Sequence, residues 1–197
     1  LTVTGVQTCA LPICSSDSVE GKHGLLVGYT NDPHPDKAVA GLGTTYETLK
    51  IGVKPYPSCR YTHAAIDALI AMRREHNLTP DQIRKVEIGL HRNGITLTGD
   101  AATKRHPTSV VGGQFSMFFT GAIALDQGHF GWDDYDRLGD KAIDALADKF
   151  DVVQDDRLEV GRTHPFGARV SITTDDGTHE RLYADPSGEP TSFPNAQ

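Results

Sequence analysis

The densest set of reactive side chains is the run Lys54-Pro55-Tyr56-Pro57-Ser58-Cys59-Arg60-Tyr61-Thr62-His63. Two prolines stiffen it, and it ends where a helical pattern starts, so a lysine, an arginine and a histidine are delivered to a helix N-terminus. Free N–H groups and the helix dipole favour anions there. Arginine grips a carboxylate through two parallel bonds, while lysine supplies a compact, tunable charge. The chemistry such a corner can perform is to hold a small carboxylate and move a proton beside it. Lys54 would then be an electrostatic stabiliser or acid, Arg60 a carboxylate clamp, and His63 an orienting hydrogen bonder or acid/base group. A structural reading competes with this one: Arg60 and His63 satisfy carbonyls or pair with Asp67.

Other polar residues point less sharply. Gln114 and Ser116 stand near a helix start, where capping is the ordinary role and substrate contact the alternative. Lys104-Arg105-His106 reads as a solvated loop, with added positive charge at the corner as the alternative. Nine histidines show no H-E-x-x-H and no close Cys/His set, so no metal site is expected. Asp133, Asp134 and Asp136 lack the glycine and closing glutamate of a calcium loop and read as a solvated helix start. Neither a Gly-rich phosphate loop nor a G-x-S-x-G elbow is present.

The run KPYPSCRYTHAAIDAL resembles the signature of the MmgE/PrpD (2-methylcitrate dehydratase) family: a Lys, an aromatic two residues on, Pro, then a His opening a helix of the type H-x-x-x-D-A. HPTSVVGGQFSMFFTGAIALDQG is similar to that family's segment in which Gln-Phe-Ser opens a buried helix, and RVSITTDDGTHERLYADPSGEP resembles its C-terminal part. The resemblance covers roughly residues 40–190, in the family's order. It implies the α+β lid of a two-domain, dimeric, cofactor-independent lyase or isomerase, with the site between the lid and a larger helical domain that this chain lacks. The substrates implied are small di- and tricarboxylates such as 2-methylcitrate, dehydrated, or cis-aconitate, decarboxylated. The family's lid lysine falls on Lys54 and its lid histidine on His63, with Arg60, Gln114 and Ser116 placed to bind substrate. Phe118 and Phe119 stand where many members carry an aromatic hydroxyl, which is a departure. Only Cys59 lies outside the first fourteen residues, too few thiolates for an iron-sulfur cluster, so no cofactor is expected. A different class of function, a stand-alone anion-binding or dimerisation module, also fits the corner, as does an epimerase of the same family.

The elements that must position these residues follow from periodicity. Thr62 is a candidate N-cap for a helix through about residue 75, with Ala64, Ala65, Ala68, Leu69 and Met72 on its apolar face. Thr79-Pro80-Asp81-Gln82 predicts a short helical turn, and residues 85–90 alternate as a half-buried strand. Residues 115–125 are apolar nearly all round and predict a buried helix in which Gly121 and Ala122 admit another backbone. A helical turn over 132–137 and an amphipathic helix over 140–150 that packs on the sheet come next. Strands are expected at 151–153, 168–173 and 179–184, the last two joined by the turn Asp175-Asp176-Gly177. The predicted class is α+β, an antiparallel sheet of three to four strands covered by helices.

Residues 1–14 lack an initiator Met and a signal-peptide pattern, and resemble a translated sequencing adapter, so Cys9 and Cys14 carry no weight. Residues 15–43 read as loop left from a preceding helical domain, 44–190 as the α+β domain, and 191–197 as a truncated tail. With a formal net charge of −7 over 197 residues, a nucleic-acid surface is not expected, because phosphates require uncompensated Lys and Arg clusters. No apolar run reaches membrane-spanning length. Three cysteines form no disulfide framework, and a cytoplasmic protein is expected.

Overall fold

A computed structural model describes residues 17–159 and 166–190; residues 1–14 with Cys9 and Cys14, His164, and the tail 191–197 lie outside the described residues. The chain divides into two units, Leu1–Lys50 and Ile51–Gln197. Among its described residues the first contains two five-residue helices, Leu25–Tyr29 and Pro35–Val39, and a 3-10 turn, Glu47–Lys50. Leu42, Tyr46 and Leu49 stand exposed in it.

The second unit holds helices α1 (His63–His76), α2 (Met117–Gln127) and α3 (Lys141–Ala147) and strands β1 (Lys85–Leu90), β2 (Phe150–Gln154), β3 (Ala168–Thr174) and β4 (Gly177–Tyr183). The sheet order is β2-β1-β3-β4. β1 pairs antiparallel with β3, and β3 with β4. On the other edge the structure departs from the all-antiparallel expectation, since β2 runs parallel to β1. The connection between them carries α2 and α3, and a long helical crossover is what a parallel pair requires. The fold is α+β, with a mixed four-stranded sheet.

Alternation sorts the strands into two faces. Val86, Ile88, Leu90, Phe150, Val170 and Ile172 bury completely against the helices. α1 covers β3 and β4, α2 lies beside α1 and reaches β2, and α3 rests on α2. The expected packing of α3 on the sheet is therefore replaced by packing on a helix. Its apolar side, Ile143, Leu146 and Ala147, faces α2, which is buried from Met117 to Leu125 and needs cover on every side. Gly121 serves this arrangement differently from expectation: a Cβ there would come within 2.7 Å of the Phe150 ring, so a side chain rather than a backbone fills the space.

On the opposite face of the sheet, Arg169 is 8% exposed and donates to Asp155 at 2.7 Å, Glu87 at 2.7 Å and Glu180 at 3.3 Å. Gly89 makes room for this cluster, since a Cβ would meet the Asp155 carboxylate at 2.9 Å. At residues 79–82 the chain makes only a hydrogen-bonded turn, with Gln82 accepting from the Thr79 amide at 2.9 Å. β1 begins before a helix can propagate from it. No helix among the described residues is long and apolar enough to cross a membrane.

Candidate active site

The loop before α1 takes its shape from its prolines and from a 3-10 turn, Arg60–Thr62, that runs straight into the helix. That turn changes the role expected of Thr62. With φ −91° and ψ −17° the residue is already helical, and its hydroxyl does not cap α1. It donates instead to the Cys59 carbonyl at 2.8 Å and bonds the Ser58 hydroxyl at 2.8 Å, which tightens the loop on itself.

Residues of this loop, Lys54 to Cys59, form one wall of a cleft of about 590 Å³. Gln114, Phe115, Gly131 and Trp132 form the other. Lys54 is the charged residue among those that line it, and its ammonium donates to the Ser58 carbonyl at 3.3 Å. The two walls are joined where the Cys59 amide donates to the Gln114 carbonyl at 2.8 Å. The cleft thus offers one positive charge and a side-chain amide among aromatic and proline surfaces, which suits a small anion with an apolar part.

Of the residues expected at the site, Lys54 and Gln114 come together at the cleft. His63 lies behind the loop, 1% exposed, with Nε2 3.3 Å from the Ser58 carbonyl and its ring edge-on to Tyr56. A carbonyl only accepts, so Nε2 carries the proton. Burial pushes the imidazole down to about 4, and Lys54 and Arg60 nearby act in the same direction. His63 is therefore neutral at physiological pH. Arg60 turns away from the cleft lining: its guanidinium pairs with Glu189 and lies 4.6 Å over the Phe166 ring. The Ser116 hydroxyl accepts from the Phe119 amide at 2.9 Å and donates to the Lys104 carbonyl at 2.6 Å, so it caps α2. Arg105 donates to the carbonyls of Ala147 and Phe150 and lies over Phe118, while His106 faces Asp144 on α3 and Asp148 just after it.

Sequence reasoning missed the wall opposite Lys54. Trp132 stands there 64% exposed, beside Gly131, whose amide is held by Asp134 at 2.6 Å. Asp134 is buried and also accepts from Gln127 at 2.8 Å, a correction to its reading as solvated. Tyr135 stacks on Phe119 and meets Phe130 edge-on behind this wall. Phe118 is wholly buried, so neither phenylalanine that departs from the family pattern is among the residues lining the cleft. An aromatic signal was present in Phe115, Phe130 and Trp132, but those residues lie apart in sequence and no periodic pattern joins them.

Residues 56–194 match the MmgE/PrpD C-terminal domain. The chain is also 28% identical over 169 residues to the cis-aconitate decarboxylase-like protein oryM of Aspergillus oryzae (strain ATCC 42149 / RIB 40), covering 82% of this chain and 35% of that protein. It therefore spans about a third of the relative's length. A buried helix capped by the serine of Gln-Phe-Ser and a closing antiparallel hairpin stand within the matched stretch, which begins two residues after Lys54, and the chain belongs to the MmgE/PrpD family.

Proposed function

We propose that this chain is the cleft-forming lid of a cofactor-independent lyase that acts on a small di- or tricarboxylate, with the residues that complete catalysis supplied by a helical domain and the assembly a homodimer. The observation that carries the reading is the Lys54 ammonium on the wall of a 590 Å³ cleft opposite Gln114 and Trp132, in a chain of this family. Dehydrating a β-hydroxy acid such as 2-methylcitrate requires removing a weakly acidic proton beside a carboxylate while the leaving hydroxyl is protonated. A cation held against the carboxylate stabilises the charge that develops, and Lys54 fills that role. Buried and neutral, His63 orients the loop through the Ser58 carbonyl. The name of the relative favours a second reaction on the same substrate class, decarboxylation, which needs the same stabilised carbanion and no leaving hydroxyl.

A turnover screen of a complete protein containing this lid, with 2-methylcitrate, citrate and cis-aconitate, tests the reading. Product from at least one of them, reduced 100-fold or more by Lys54→Met, is the expected result. No turnover of any of the three, together with no effect of these acids on Trp132 fluorescence, overturns it in favour of a module without this chemistry.

A further inference from the structure

The segment that follows β4 returns to the loop carrying Lys54 and holds it on both sides. Upstream of Lys54, the Val53 amide donates to the Gly188 carbonyl at 2.8 Å. Downstream, the Glu189 carboxylate pairs with Arg60. Between these, the Ser187 amide donates to Asp67 Oδ2 at 2.7 Å while the Tyr56 hydroxyl donates to Asp67 Oδ1 at 2.6 Å. One carboxylate on α1 thus ties loop and segment together. Gly188 has φ +89°, and a Cβ there would stand 2.0 Å from the Val53 carbonyl oxygen, so only glycine permits the close approach.

We propose that Asp67, Gly188 and Glu189 are positioning residues, and that the segment they belong to or anchor is a strap that fixes the direction in which Lys54 enters the cleft. Only Lys54 and Pro55 lie between Val53 and Tyr56, the two residues held by Gly188 and Asp67. The proline ring fixes one dihedral of that short span. Restraining both flanks therefore restrains the lysine. Arg60 takes part as the anchor of Glu189 rather than as a substrate clamp, and the bond to Asp67 leaves the Tyr56 hydroxyl committed to the brace. The catalytic consequence rests on the reading of Lys54 given above, and misplacing a charge by about 1 Å costs on the order of 100-fold in rate. The strap itself can be tested without any substrate.

The test uses the 197-residue chain with Glu189→Ala, Asp67→Asn and the double charge reversal Arg60→Glu with Glu189→Arg. Two readouts are followed: amide exchange by mass spectrometry, and the NMR resonance of Lys54 after reductive methylation with 13C-formaldehyde, assigned with Lys54→Arg. In the single variants, exchange across residues 52–58 quickens tenfold or more while the middle of α1 stays protected, and the Lys54 resonance shifts. The charge reversal restores both. Unchanged exchange and an unmoved Lys54 resonance in Asp67→Asn and Glu189→Ala overturn the proposal. So does loss of protection throughout α1, which would make these residues general supports of the fold. A carboxylate that fails to bind the unaltered chain counts against the proposed function alone, because neither readout involves one.

Discussion

Tyr135 donates its hydroxyl to the Pro57 carbonyl at 2.7 Å, across 78 residues of sequence, and so ties the wall bearing Trp132 to the loop bearing Lys54. Burial, with Asp134 adding to it, pushes the phenol well above its ordinary range, and it stays protonated at any physiological pH. Tyr135→Phe keeps the ring packing on Phe119 and Phe130 but leaves the carbonyl unpaired. The expected loss is about 1 to 2 kcal/mol, a drop of about 5 °C in Tm, measured by thermal unfolding. An unchanged Tm would mean that the two walls are held by the Cys59 to Gln114 backbone bond alone.

Trp132 is the single tryptophan of the chain, and it lines the cleft, so its fluorescence reports occupancy directly. Titration with a tricarboxylate is expected to change the emission, with affinity falling as salt rises because the attraction to Lys54 is screened. Lys54→Met should weaken the affinity about 10- to 100-fold, the value of a bond to a charged group. Gln114→Ala should weaken it by less than tenfold, since a neutral amide contributes about 1 kcal/mol. Equal affinities in Lys54→Met and the unaltered chain would place the anion elsewhere.

What the sequence makes legible depends on how local the cause is. Strand β1 lies where alternation put it, because Val86, Ile88 and Leu90 share one face that must be buried. The helix from His63 likewise follows its apolar stripe. Parallel pairing of β2 with β1 is set by how the intervening helices return the chain, and residues 151–153 carry no mark of it. At the site, the proline-braced run fixed the neighbourhood of Lys54. The fate of Arg60 depended on Glu189, a partner 129 residues away, in a stretch beyond the last expected strand. Asp134 shows the same limit: three nearby aspartates look alike in sequence, and only one is drawn inside, by the Gly131 amide and Gln127.

The cluster around Arg169 predicts an acid-sensitive sheet. Hydrogen bonds from Arg157 and then Arg169 hold the Asp155 carboxyl far below its usual range, so its contribution to stability is present above about pH 4 and is lost as pH falls further. Arg169→Met removes the shared cation from Asp155, Glu87 and Glu180 and leaves Asp155 with its bonds from Arg157. A loss of about 1.5 to 3 kcal/mol is expected at neutral pH, with part of it recovered near pH 3 as the carboxylates become protonated. Chemical denaturation of both chains at pH 7 and pH 3 measures this. A loss of equal size at both pH values would show that packing of the arginine stem matters more than its charge.

His63 makes a separate prediction at milder pH, and its sign follows from burial. In the fold its imidazole is pushed down to about 4, whereas in the unfolded chain it titrates near 6.5. Between those values the unfolded state binds a proton that the folded state refuses, so stability falls as pH drops from about 6.5 towards 4. The full shift corresponds to on the order of 3 kcal/mol. His63→Asn replaces the ring with a neutral amide that can still donate to the Ser58 carbonyl. Its stability between pH 6.5 and 4 should fall less steeply than that of the unaltered chain, by close to one proton. The comparison isolates His63 because the remaining histidines are common to both chains. If the two slopes coincide, the imidazole is already protonated in the fold, which would require an anionic partner beside a ring that is now enclosed by Tyr56 and the Ser58 carbonyl.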